Sequence, residues 1–185
     1  MSWSQHHLSA YETLGAIAVL LGLAFLVQPF GRREVENMRV SRTIAEIRAI
    51  EAAALRFKAD TGRFPVHYAD YDPTVYPELK NLTVEPPVRS GITTWDGPYL
   101  DSPARTNAWK GLTHLHWSTT QFDLDGDGRA DTVGANSYVV LTGVPSGAAD
   151  RLDREIDGVA DPRAGRLQIA GPAGGRKTAT FLIAD

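Results

Sequence analysis

The chain has 185 residues, 43% of them hydrophobic, and a formal net charge of −3 at pH 7. This length suits one domain plus a terminal segment, and the small net charge does not indicate nucleic acid as a partner. Because the sequence contains no cysteine, disulfides and a cysteine nucleophile are both excluded.

The N-terminal part of the chain predicts one long helix over Tyr11–Asp60. Leu14–Val27 contains no charged residue, and the uncharged segment reaches 18 residues when Thr13 and residues 28–30 are counted. At the α-helical rise, such a segment is about 27 Å long, close to the thickness of the hydrocarbon core of a bilayer. We therefore expect the first half of this helix to be embedded in a membrane.

The second half of the predicted helix is amphipathic. Its apolar residues are spaced three and four apart, which predicts a helix packed along a small domain. They are Val40, Ile44, Ile47, Ile50, Ala54 and Phe57. Gly62 and Pro65 are expected to end the helix. The predicted organisation is thus a leader or N-terminal extension (1–10), a hydrophobic helix (11–30) and a globular part (31–185) that includes the amphipathic helix 31–61.

The C-terminal part of the chain predicts a sheet interrupted by one short helix. The expected strands are 112–121, 137–144, 166–170 and 177–184. Ser146 is expected to cap a helix over Gly147–Asp157, whose alternating acidic and basic residues indicate an exposed, ion-paired face. The predicted fold class is α+β, with the long helix packed on a small antiparallel sheet.

An acidic loop at residues 123–134 has the ligand spacing of a calcium-binding loop. Aspartates occupy the first, third, fifth and ninth positions, and Gly128 occupies the sixth. In EF-hand loops these positions bind Ca²⁺ together with the backbone carbonyl of the seventh. The predicted ligands are Asp123, Asp125, Asp127, the carbonyl of Arg129, and Asp131, with Asp157 as a candidate additional ligand. The alternative is a solvated Asp-Gly turn between two strands.

The twelfth position of this loop is Gly134, so the bidentate glutamate of a true EF-hand is missing. No helix is predicted directly before the loop either. We therefore expect a calcium loop carried on a β scaffold, with Ca²⁺ as the cofactor.

Several motifs resemble those of the type IV pilin and type II secretion pseudopilin superfamily. The run AIEAAALRFKADTGRFP ends the long helix, and WDGPYLDSPARTNAWKG follows it at residues 95–111. Glu12 lies 17 residues before Pro29, a separation that these proteins keep. The resemblance covers most of the chain up to about Asn136, and the major pseudopilins are the most similar members.

This resemblance implies roles for four N-terminal residues. Glu12 would pair with the amino terminus of a neighbouring subunit, since a carboxylate on an apolar helix needs a partner. Pro29 would kink the helix, because it cannot donate a backbone hydrogen bond. Alignment on Glu12 places a processing junction at His7 and Leu8, where this chain lacks the family's glycine.

The resemblance also implies a function. The chain would be a structural subunit held in the inner membrane by one span and in contact with its lipid. It would then polymerise into a periplasmic or extracellular filament. Its expected partners are further copies of the chain, the inner-membrane assembly machinery and minor pilins. The alternative is a membrane-anchored calcium-binding recognition domain that does not polymerise. No phosphate-binding glycine loop or zinc-protease motif is present, so we do not expect an enzyme.

Overall fold

The computed structural model describes residues 10–65, 77–85, 91–102 and 105–183. It divides into two compact units, Met1–Met38 and Arg39–Asp185. The described residues contain helices and a four-stranded antiparallel sheet, which makes the fold α+β. The elements are α1 (Ala10–Thr61), α2 (Pro77–Asn81), β1 (Thr113–Ser118), β2 (Asn136–Pro145), α3 (Ser146–Asp157), β3 (Leu167–Ala170) and β4 (Arg176–Ile183).

The membrane-embedded helix predicted from the sequence is not supported. Within the part of the chain that the structure describes, no helix is both long enough and apolar enough to cross a bilayer. The uninterrupted apolar run Leu14–Val27 would be only about 21 Å long, against a hydrocarbon core of about 30 Å. The prediction of single-pass anchoring in the inner membrane, and the localisation that followed from it, is therefore wrong.

The second unit has its own core, to which α1 contributes a stripe of side chains. Its buried residues are Val40, Thr43, Ile47, Ile50, Ala53, Ala54 and Phe57. The predicted stripe is correct except that Thr43 is fully buried where Ile44 was expected, and Ile44 is only partly buried. The helix ends where predicted, because the Gly62 amide donates to the Lys58 carbonyl at 2.8 Å with Gly62 at φ 77°.

One row of side chains crosses the whole core face of the sheet. The strand order is β1-β2-β4-β3, and Leu115, Val139, Phe181 and Leu167 occupy one register row across it. All four are completely buried. The guanidinium carbons of Arg48 and Arg166 lie 5.4 and 4.6 Å from the centre of the Phe181 ring. These cation–π contacts join α1 and the segment before β3 to the central strand β4.

Asn107 joins the segment before β1 to strand β2. Its side-chain amide donates to the Thr142 carbonyl at 2.8 Å, while its Oδ1 accepts from the amides of Trp109 and Gly111 at 3.0 and 3.1 Å. A Cβ on Gly111 would lie 1.7 Å from the Thr142 carbonyl oxygen. Only glycine therefore permits this approach, which gives the Asn-aromatic-Gly turn a packing role.

The opposite, outer face of the sheet is also covered in part. Leu182 points to this face yet is only 4% exposed, and Phe122, from the segment between β1 and β2, is completely buried. The Phe122 ring lies 5.9 Å from the ring of Tyr138, which is the register partner of Leu182. The segment that carries the acidic loop therefore packs on the outer face.

Two local predictions about α3 are wrong. The N-cap residue is Pro145, with no side-chain hydrogen bond to the cap, so Ser146 begins the helix instead of capping it. Asp153, expected on an exposed ion-paired face, is only 1% exposed. The 3.6-residue period places it beside Ala149 and Leu152 on the face that packs on the sheet. Asp153 is therefore buried, although its charge favours contact with solvent.

His114 predicts a loss of stability in mild acid. Burial, and then the charge of His116, lowers the pKa of His114, so the folded state favours the neutral imidazole. The unfolded chain then binds the proton at a higher pH, and stability is lost as pH falls through about 6.5. Protonation of Asp153, whose pKa is raised to about 7, acts in the opposite direction over this range in every variant compared. We therefore expect the change in urea midpoint between pH 7.5 and 5.5 to include a drop due to His114, and His114→Gln to remove that drop.

His116→Gln is the matched control, because it removes the neighbouring charge and leaves the burial. It should give a drop between those of the wild type and His114→Gln. Equal drops in the wild type and His114→Gln would show that His114 does not cause this pH dependence.

Candidate metal centre

Hydrogen bonds join the two ends of the acidic loop. The Asp131 amide donates to the Phe122 carbonyl at 2.8 Å, and the Phe122 amide donates to Thr132 Oγ1 at 2.8 Å. Because Phe122 is completely buried, the first carboxylate of the loop follows directly after a residue fixed in the protein interior. The loop Asp123–Asp131 is therefore held at both ends.

Backbone amides orient the carboxylates within the loop. Asp123 accepts from the amides of Gly126 and Gly128 at 2.7 and 2.9 Å, one on each oxygen. Asp131 Oδ2 accepts from the amide of Leu124 at 2.6 Å. Both glycines have φ of 83°, in the left-handed region that favours glycine. The spacing of aspartate and glycine thus lets the chain turn while its amides hold the carboxylates in place.

Three carboxylates converge. One oxygen from each of Asp123, Asp125 and Asp131 lies within 4.8 Å of the others. Three negative charges at this spacing repel one another, and a cation between them would remove that repulsion. The donors are all oxygen atoms, which are the ligands that Ca²⁺ prefers, and Ca²⁺ binds six to eight of them. These residues therefore fit the calcium site that the sequence predicts.

The other predicted ligands are placed differently. Asp127 is outside this group of three, and its Oδ1 accepts from the Arg129 amide at 2.8 Å. The Asp127 amide in turn donates to Asp125 Oδ1 at 3.0 Å. Asp127 thus braces the loop in this arrangement, while its ligand role and that of the Arg129 carbonyl stay predictions.

Two residues that attach the loop to the rest of the domain were not identified from the sequence. The carbonyl of Asp123 accepts from the Gly165 amide and from Gln168 Nε2, each at 3.0 Å. These bonds connect the loop to β3 and the segment before it. An isolated glutamine has no sequence signal for such a contact, because the contact depends on strand pairing far along the chain.

The assembly residues predicted from the sequence remain untested. The α1 backbone includes the positions of Glu12 and Pro29, but their side chains lie outside the described part of the structure. His7 and Leu8, the predicted processing junction, lie outside the described residues altogether. The roles of all four stay predictions.

No protein-family model, no curated protein and no solved structure matches this chain. The geometry of the described residues and the sequence motifs are therefore what bears on its function.

Calcium should stabilise the domain through the three converging carboxylates. At a free concentration 100 times the dissociation constant, a ligand that binds only the folded state adds about 2.7 kcal/mol. For a chain of this size, that corresponds to a rise in Tm of about 5–10 °C. We expect calorimetry in Ca²⁺ and in EDTA to show at least this difference in the wild type, and Asp131→Asn to show a smaller one.

Asp101→Asn is the control, since it removes the same charge from an exposed aspartate outside the loop. Comparing each variant with itself in EDTA separates lost binding from the lost hydrogen bond between Asp131 and Leu124. If Asp131→Asn responds to Ca²⁺ as strongly as Asp101→Asn does, the three-carboxylate site is wrong.

Proposed function

We propose that this chain is a structural subunit of a pilus-like filament, of the type IV pilus or type II secretion pseudopilus class. It would polymerise through the N-terminal part of α1 and carry a calcium-stabilised globular domain. The observation that supports this most directly is the large exposure of the apolar side chains near the start of α1.

The apolar surface of α1 in the first unit faces in all directions around the helix. Leu14, Ile17, Val19, Leu20 and Leu21 are between 49 and 65% exposed. At 100° per residue these five positions leave an arc of about 140°, which Gly15 and Ala18 occupy, so no single face is polar. A helix that is apolar on all sides is normally buried. Copies of the same helix packed together would bury it.

The second unit does not need the first to form its core. Residues 39–185 contain a continuous core made from α1, the sheet and α3. The solvent side of this part of α1 carries ion pairs between Arg42 and Glu46 and between Arg48 and Glu51, each at 2.9 Å. Such a domain can remain folded whether or not the apolar segment is assembled, as a filament subunit requires.

The sequence motifs support the same proposal. The separation of Glu12 and Pro29, the end-of-helix run and the Asn107 turn all resemble pilin-class features. In a filament, Glu12 would set the register by pairing with the amino terminus of an adjacent copy. The further partners would be an assembly machinery and minor pilins.

A second candidate is a calcium-binding recognition domain that does not polymerise. The three converging oxygens of Asp123, Asp125 and Asp131 favour it, because a calcium site of this kind needs no helix assembly. It gives no role to the exposed apolar segment of α1.

Leu20→Asp separates the two candidates. Leu20 is 65% exposed, so the substitution should leave the thermal unfolding of the domain unchanged while placing a charge in the filament core. We expect the wild-type chain to form fibres in negative-stain images when detergent is dialysed away in Ca²⁺. Leu20→Asp should remain dispersed and sediment as a monomer.

Val84→Asp is the control, since this apolar residue of the globular domain is 49% exposed and lies outside both α1 and the acidic loop. It should form fibres as the wild type does. Dispersed wild-type protein, or fibres from Leu20→Asp equal to those of the wild type, would contradict polymerisation through α1.

A further inference from the structure

Asp153 is a buried carboxylate without a partner. It lies in the middle of α3 and is only 1% exposed. Among the residues that the structure describes, neither of its oxygens accepts a hydrogen bond. A buried charged group normally requires such a partner, because burial removes its hydration.

The groups around Asp153 are acidic. The pKa of Asp153 is raised to about 7. Burial is the largest cause, and the negative charges of Asp157, Asp161 and Asp150 add to it. The backbone of Asp161 offsets part of this effect, so the carboxylate of Asp153 lies near the segment that follows α3. Asp157 lies one helical turn after Asp153 and therefore on the same side of α3. The cluster brings acidic groups together where a cation would be stabilised.

Two nearby arginines, Arg154 and Arg166, donate hydrogen bonds to groups outside this cluster of carboxylates. Arg166 bonds Glu51 and the Leu182 carbonyl through one nitrogen and stacks on the Phe181 ring. Arg154 donates to the Asp150 carbonyl through Nε at 3.3 Å. These contacts engage Arg154 Nε and one terminal nitrogen of Arg166, whereas Arg166 Nε is buried without a hydrogen-bond partner.

A cavity of about 370 Å³ adjoins this cluster. Asp125, Asp157 and Asp161 are its acidic lining residues, Arg166 is its basic one, and Leu124 and Val159 are apolar ones. With about 30 Å³ for each water molecule, this volume is ample for an ion and its remaining hydration. Asp125 belongs to the three-carboxylate group of the acidic loop, so the cavity lies next to the first candidate site.

Asp157 is held in place at the edge of this cavity. Its two oxygens accept from the amides of Arg166 and Leu167 at 3.1 and 2.8 Å. A Cβ on Gly165 would lie 2.6 Å from Asp157 Oδ2, and Gly165 has φ of 90°. The absence of a side chain at Gly165 therefore permits the close approach of Asp157.

Asp161 is a solvent-exposed member of the cluster. Its Oδ1 accepts from the Arg163 amide at 3.0 Å, and its Oδ2 lies 3.9 Å from where a Cβ on Gly126 would be. The carboxylates of Asp153, Asp157 and Asp161 do not reach the mutual 4.8 Å spacing of the first group. A cation would draw the exposed Asp161 toward α3.

We propose that Asp153, Asp157 and Asp161 form a second divalent-cation site, for Ca²⁺, at the C-terminal end of α3. Asp153 supplies two buried oxygens without partners, and Asp157 and Asp161 retain lone pairs beside their backbone hydrogen bonds. The carbonyl end of a helix also favours a cation. This site is independent of filament formation, and it gives the buried Asp153 a counter-charge.

The number of Ca²⁺ ions bound per chain tests this site. We expect isothermal titration and equilibrium dialysis of the full chain in detergent to give two ions for the wild type. Asp153→Asn and Asp161→Asn should each bind one ion, and Asp131→Asn should also bind one. Asp150→Asn, an exposed aspartate of the same helix, is the control and should bind two.

Melting curves in EDTA show whether each variant is folded, and Asp161→Asn gives an independent test because its side chain is exposed. One ion per wild-type chain, with Asp153→Asn unchanged, would overturn the proposal. Two ions in the wild type and in both Asp153→Asn and Asp161→Asn would overturn it as well, because the second ion would then lie elsewhere.

Discussion

The repulsion among three carboxylates placed together in one loop is the constraint around which this domain is arranged. Asp123, Asp125 and Asp131 bring oxygens within 4.8 Å of one another, and backbone amides hold all three side chains in position. The same loop follows Phe122, which is buried against the outer face of the sheet. A cation that removes the repulsion would therefore also stabilise the packing of that face.

The two faces of the sheet depend on different forces. The core face is closed by apolar burial, with one row of side chains across all four strands and α1 packed in the same core. The outer face has fewer apolar contacts, and the hydrogen bonds of the Asp123 carbonyl with Gly165 and Gln168 attach the loop there. We infer that a cation bound by the acidic loop would stabilise the outer face by neutralising the carboxylates, where little apolar area is buried. Gly165 also lies close to Asp157, so its backbone connects the two proposed cation sites.

The sequence predicted the features that depend on local spacing. The buried stripe of α1 follows from its three- and four-residue period, and the acidic loop follows from alternate aspartates with glycine. Features set by long-range packing were not predictable: Phe122 is a lone apolar residue without a period, and the charge of Asp153 indicated solvent. The predicted membrane span was wrong, since no helix of the described residues is both long enough and apolar enough to cross a bilayer.

Hydrogen exchange of the full chain, followed by mass spectrometry, tests the central claim most directly. The loop amides that orient the carboxylates, and the amides of β2 around Tyr138, whose ring contacts Phe122, report on the same packing. If a cation fixes the loop on the outer face, both sets should exchange more slowly in Ca²⁺ than in EDTA, while amides in the core half of α1 stay unchanged. Equal exchange of the loop and of these β2 amides in the two conditions would contradict the account.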